Sequence, residues 1–144
     1  MRLWHYALFP YLPDRQFRGQ LREVIVVMRN WRDKGSPNSL ILNRITEYPK
    51  EELYCYFILY CNEYHKRYNK SLNKHIKEFS DFAFSNYVTP YPFNNWHNNI
   101  YLKVCMTNLF EKYYFGVGKS KLTEDEWQLL CSGYENITGE KFIV

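Results

Sequence analysis

The stretch DRQFRGQLREVIVVMRNW, residues 14–31, decides the fold. At about 100° per residue, Phe17, Leu21, Val24, Met28 and Trp31 fall on one stripe, which marks an amphipathic helix with a core-facing side. Asp14 stands where an N-cap is expected, after the proline-punctuated lead Leu8–Pro13. Arg15, Arg18, Arg22 and Arg29 gather on nearly the opposite side. Glu23 falls about 100° round from Arg22, on a flank shared with Gln16 and Gln20, at the border between basic surface and core. A carboxylate at such a border is partly desolvated yet within reach of a ligand.

Outward from this helix, Gly35, Ser36 and Pro37 form a break, and a shorter segment near Ser39–Thr46 precedes Pro49. Lys50–Tyr68 reads as a second helix, with Leu53, Tyr56, Phe57, Tyr60 and Tyr64 at apolar spacing. Ser71 is placed to cap a further helix to about Tyr87. Lys66, Arg67, Lys70, Lys74 and Lys77 with His65 and His75 then form one basic corner, readable as a second phosphate contact or as a solvated helix junction. The run VTPYPFNNWHNN, residues 88–99, is a loop by its prolines and asparagines and a candidate site edge. Ile100 to about Tyr114 is helical, Gly116 and Gly118 break it, and Thr123 with Glu126 makes the capping box of a final helix through about Tyr134. No strand alternation is sustained and no repeat recurs. The expectation is an all-α fold: one domain over residues 1–144, a compact helical bundle with an irregular N-terminal segment and loops.

A chain of 144 residues can bury roughly two-thirds of its unfolded surface, so a core suffices without staples. That core is expected to be ring-rich, with Tyr 14, Phe 10 and Trp 4. Cys55, Cys61, Cys105 and Cys131 show no C-x-x-C pair and no matching histidines at zinc spacing, which points to buried thiols and to no metal or other cofactor. The longest aliphatic run, Val24–Met28, is too short to span a bilayer, and no signal peptide opens the chain. A cytoplasmic monomer with no membrane contact is the expectation. Charge is unevenly placed: residues 1–34 hold seven Lys/Arg against three Asp/Glu, while the rest balances at twelve against twelve. Clustered cations of this kind suit a polyanion, whose condensed counterions they release, although a solvated helix face carries the same composition.

The G-x-S-x-G elbow, the Walker loop, the dinucleotide fingerprint and H-E-x-x-H are all absent. Gly116–Ser120 reads G-V-G-K-S but lacks the full phosphate-loop spacing and a strand before it. What remains is the N-terminal constellation. The run PDRQFRGQLRE, residues 13–23, resembles the first helix of the pyrimidine-dimer DNA glycosylases, the phage-type dimer-specific endonucleases, whose pattern is D-Q-x-L-x-x-x-x-R-E. Asp14, Phe17, Arg22 and Glu23 occupy those places. The segment Lys112-Tyr113-Tyr114-Phe115-Gly116 is similar to the aromatic Lys-Tyr-Tyr-Gly segment near the family founder's C-terminus, although here the chain runs on to Val144. The resemblance covers about the first 30 residues well and the rest loosely.

This resemblance implies a small all-α DNA-repair enzyme acting on double-stranded DNA with a damaged or abasic site. It would cleave an N-glycosidic bond, for pyrimidine dimers by likeness, and nick the abasic site as a lyase. The family's nucleophile is the chain's own α-amine, which forms a Schiff base with the sugar, and the carboxylate matching Glu23 stabilises the cationic sugar and moves protons. Arg2 stands where the founder carries its nucleophilic residue. A one-residue shift sets the Met1 amine at that place and Arg2 at the family's neighbouring arginine, which contacts DNA. Met1 and Glu23 are then the catalytic candidates, and Arg2, Arg15, Arg18, Arg22, Lys103, Lys112, Tyr113 and Tyr114 the DNA-binding ones. Where the founder has a histidine two places after the helix's aspartate, this chain has Gln16, and His5 substitutes only if the fold brings it near. Trp96 and His97 are further candidates for stacking on an extruded base. The alternative is a non-catalytic nucleic-acid-binding module that keeps the basic helix, with Glu23 as a structural ion-pair partner.

Overall fold

The computed structural model describes residues 2–37, 42–83 and 87–144. Five α-helices carry the fold: α1 (Asp14–Lys34), α2 (Lys50–Tyr68), α3 (Asn73–Glu78), α4 (Asn99–Tyr114) and α5 (Glu124–Thr138). Short 3-10 turns at Tyr6–Leu8, Leu42–Glu47, Ser80–Phe82 and Gly118–Ser120 join them, and no strand forms among the described residues. The protein is all-α, as the periodicity requires.

Helix α1 runs one turn past Trp31. It ends where Gly35 takes a left-handed φ of 78° and returns its N–H to the Trp31 carbonyl. Its N-cap is Pro13, not Asp14, which is the first helical residue and bonds Arg18 and Tyr68 instead. Proline leaves no N–H to satisfy, and the Asp14 charge still favours the positive end of the helix dipole. Phe17, Val24, Met28 and Trp31 are buried as the stripe predicts, whereas Leu21 is only half-buried and Gln20 and Val27 are fully enclosed. The enclosed arc is wider than the stripe because two neighbours cover it: α2 on one side and the N-terminal segment on the other.

Helix α2 has the predicted limits, with Pro49 before it and Asn69 closing it at φ 52°. Its Leu53, Tyr56, Phe57 and Tyr60 are fully buried. Phe17 stacks on Tyr60 at 4.5 Å between centroids, and the Tyr60 hydroxyl donates to the Phe17 carbonyl at 2.6 Å. Arg67, expected in a basic corner readable as a phosphate contact or as a solvated helix junction, turns inward. Its Nη2 donates to the carbonyls of Phe9 and Leu12 at 2.7 and 2.8 Å, and its guanidinium lies 4.1 Å from the Phe17 ring centroid. A fork of donors meets a proline-rich lead whose carbonyls have no helix to satisfy them.

The helix expected from Ser71 to Tyr87 is shorter. Leu72 holds the cap position without a side-chain bond, and α3 stops at Glu78. Phe79 and Phe82 are drawn into the core against Phe57 and Trp31, which bends the chain. Glu78 binds Arg29 through two bonds at 2.8 and 2.9 Å and Arg32 at 3.3 Å, and these arginines hold its carboxyl down at about 2. Residues 84–86, like Ser39 in the segment before Pro49, lie outside the described residues.

The predicted loop over residues 88–99 is a core plug as much as an edge. Phe93 sits at φ 61° with its N–H on the buried Glu52 carboxylate at 2.7 Å, and Phe93, Trp96 and His97 are all buried. Asn98 caps α4 through the Tyr101 N–H. The Thr123–Glu126 capping box forms as read, and α5 packs on α4 through Trp127 and Phe110. At Gly133 a Cβ would stand 2.4 Å from the Tyr11 ring, so only glycine lets α5 approach the N-terminal segment this closely.

Candidate active site

Residues 2–4 lie against α1, and the side chain holding them there is Gln20. Fully buried, it donates from Nε2 to the Arg2 carbonyl at 2.9 Å and accepts the Trp4 N–H on Oε1 at 2.6 Å. A single amide thus satisfies one backbone acceptor and one backbone donor, as a neighbouring strand would. Two tyrosines complete the clamp: the Tyr56 hydroxyl donates to the Trp4 carbonyl at 2.5 Å and the Tyr101 hydroxyl to the Leu3 carbonyl at 2.6 Å. These contacts leave the Arg2 N–H aimed at Glu23, whose Oε2 it meets at 3.3 Å. The same oxygen accepts from Gln20 Nε2 at 3.3 Å, and Glu23 is half-buried, at the border its helical position predicts. Met1 itself lies outside the described residues.

The other site residues spread unevenly. Arg2 is half-buried with its guanidinium 5.8 Å from the Trp4 ring centroid, and it also meets Tyr101 and Cys105. Burial outweighs that cation, raising the Tyr101 hydroxyl and pushing the Cys105 thiol up to about 11. Arg15, Arg18 and Arg22 are exposed on α1, but Arg18 is engaged with Asp14 at 2.9 Å and lies over Tyr68 at 4.3 Å. Lys103 follows Tyr101 by two residues, which turns it to the far side of α4 from the clamp. Lys112 is half-buried, and its carbonyl accepts the Leu122 N–H. Tyr113 is taken up by α5: it stacks on Trp127 at 5.4 Å and 10° and bonds Glu124. Tyr114 stays exposed at 64%. Trp96 and His97 cannot stack on an extruded base, because both rings are buried, at 7% and 4% exposure.

Beneath residues 2–5 two imidazoles face each other. His5 and His97 have ring centroids 5.1 Å apart, flanked by Tyr6, Tyr56, Trp96 and Tyr101. His5 Nδ1 accepts the Ala7 N–H at 3.1 Å, while neither nitrogen of His97 has a partner. Burial lowers His5 to about 4 and His97 well below its ordinary value, so both are neutral at pH 7 and His5 is a packing group. The unfolded chain takes up these protons near 6.5 while the folded one resists. Stability is therefore complete above pH 6.5 and falls toward pH 4, by up to about 1.4 kcal/mol per pH unit for each histidine. Thermal melts from pH 7 to 5 check this, because the Glu78 carboxyl responds only at lower pH; a flat Tm over that window would refute it.

A half-buried carboxylate beside a clamped N-terminal segment, on a helix lined with arginines, defines a helical protein with a candidate site at its own leading residues. The family model described as pyrimidine dimer DNA glycosylase matches residues 1–76, and the chain belongs to that family. That span contains Arg2, Gln20, Glu23 and Tyr56, whereas Tyr101 and α5 lie beyond it. Neither a curated protein nor a solved structure matches the chain. No helix among the described residues is long and apolar enough to cross a membrane. Sequence reasoning placed Gln20 on the flank of Glu23 without giving it a role. The available signal was a glutamine at helical spacing between the core residues Phe17 and Val24.

Proposed function

We propose that this DNA glycosylase works through the α-amine of Met1, assisted by Glu23, and nicks the abasic site it creates. The observation that carries the reading is the 3.3 Å bond from the Arg2 N–H to Glu23 Oε2, since the amine ahead of Arg2 is one residue away and a residue spans at most about 3.6 Å. An α-amine has a pKa of about 7.7, so a useful neutral fraction exists near physiological pH. Its lone pair attacks the sugar C1′, the bond to the base breaks, and the departing base carries away the electron pair with a proton. The amine gives up one proton, and its lone pair then expels O4′, which takes the C1′–O4′ electron pair and a proton as the ring opens. The nitrogen keeps its second hydrogen as a protonated Schiff base. Removal of a C2′ proton then expels the 3′ phosphate by β-elimination. Glu23 serves as the nearby anion that stabilises the cationic sugar and relays protons.

In the same reading Arg2, Arg15 and Arg22 hold phosphates, and Tyr114 offers a ring to a base displaced from the duplex. The protein acts as a monomer in the cytoplasm, with no metal or cofactor in the reaction. Untagged protein incubated with an abasic duplex and borohydride should give a covalent adduct whose peptide map puts the sugar on residue 1. Acetylating the amine should abolish both adduct and nicking. Salt-dependent duplex binding with no adduct would instead identify a binding module that lacks the chemistry.

A further inference from the structure

We propose that the cleft between the first turn of α1 and the loop after α4 is a separate subsite for a DNA backbone phosphate, about three nucleotides from the one that reacts at Glu23. The inference rests on the DNA reading above but not on its chemistry. The cleft encloses about 620 Å³, and Arg15 and Arg18 from α1 meet Lys119 and Lys121 from the loop in its walls. Two carboxylates share the lining, Asp14 and Glu126, and both are occupied: Asp14 by Arg18 and Tyr68, Glu126 by the Thr123 N–H at 2.8 Å. Among the described residues no carboxylate pairs with Arg15, Lys119 or Lys121. Ser120 and Thr123 line the same walls, their hydroxyls engaged by the Val117 carbonyl and the Glu126 N–H.

The loop is held in place before any ligand arrives. At Gly116 a Cβ would stand 2.1 Å from the Lys112 carbonyl oxygen, so this crossing over the end of α4 needs glycine. Ser120 bonds the Val117 carbonyl, and the Thr123–Glu126 box fixes the far end. The G-V-G-K-S run thus becomes a short 3-10 turn at Gly118–Ser120 with no strand before it, and Gly118, Lys119, Ser120 and Lys121 line the cleft. Gln16 in the cleft wall and Glu23 are seven residues apart on one helix flank, about 10 Å at 1.5 Å per residue. Duplex DNA advances about 3.4 Å per nucleotide, so a strand lying along α1 reaches the cleft about three nucleotides from Glu23.

The test uses full-length protein, a short duplex carrying a stable abasic-site analogue, and Lys119→Ala/Lys121→Ala. Both lysines are exposed, and circular dichroism checks that the variant folds. The variant should lower the salt slope of duplex binding by about 2 and weaken damaged and undamaged duplex alike. A single neutral methylphosphonate moved along the damaged strand should weaken wild-type binding when it lies two to four nucleotides, roughly, to one side of the lesion. It should have no further effect on the variant. An unchanged salt slope, or a methylphosphonate effect that persists undiminished in the variant, would overturn the subsite. So would displacement of the duplex by a free nucleoside triphosphate in wild type only, which would make the cleft a nucleotide site. If the wild type neither nicks nor traps but the linkage-specific loss is seen, the catalytic reading fails and the subsite stands.

Discussion

Glu23→Gln should lower strand nicking by at least about a hundredfold while leaving duplex binding intact or slightly tighter. The amide keeps the side chain's volume and an oxygen for the Arg2 N–H, so the clamp around residues 2–4 survives. In the proposed mechanism the negative charge beside the developing sugar cation is lost, and with it the proton relay for imine formation and elimination. Removing a carboxylate next to a polyanion also removes repulsion, which is why affinity should not fall. Single-turnover nicking compared with gel-shift affinity makes the measurement. Nicking near the wild-type rate would reduce Glu23 to a structural acceptor for the Arg2 N–H.

Gln20→Leu should cost about 2–4 kcal/mol of stability and impair nicking more than binding. Leucine nearly fills the space but leaves the Arg2 carbonyl and the Trp4 N–H without their buried partner, and each unsatisfied group costs about 1–3 kcal/mol. Tyr56 and Tyr101 still hold Trp4 and Leu3, so the segment loosens at its first residue rather than detaching. An amine placed a fraction of an ångström less well loses rate steeply, whereas phosphate contacts on α1 are indifferent to it. Urea unfolding gives the stability term, and comparison of trapping with binding separates the two effects. A variant as stable as the wild type, or one whose binding and nicking fall in parallel, would show that Gln20 does not position the amine.

Much of the fold was legible because it is written in periodicity and caps. The limits of α2 follow from Pro49 and Asn69, and the start of α5 from the Thr123 box, all local signals whose partners lie within a few residues, while α5 runs past the expected end near Tyr134 to Thr138, where Gly139 closes it. The helix expected through Tyr87 fails for the opposite reason. Its apolar spacing is sound, but Phe79 and Phe82 gain more by entering the core beside Phe57 and Trp31 than by extending a helix, and no local pattern reports that choice. Trp96 and His97, readable as stacking rings or as core packing, are core, and an Asn- and Pro-rich loop gives no hint that Glu52 will tie down its middle. Of the site, the border position of Glu23 is a property of helix geometry and was visible from residue spacing alone. The basic residues were visible as types but not as partners. Arg29 is bound to Glu78 and Arg67 to two carbonyls, contacts that span 49 and 58 residues of chain.

The clamp on residues 2–4 also orders events during synthesis. Its parts leave the ribosome one after another: Gln20 soon after residues 2–4, Tyr56 later, and Tyr101 only when 98 further residues have followed Leu3. Until then residues 2–4 lack one of their three side-chain holds, and a chain stalled before α4 carries Glu23 beside an incomplete clamp. On the proposed chemistry, the site is complete only once α4 has been made.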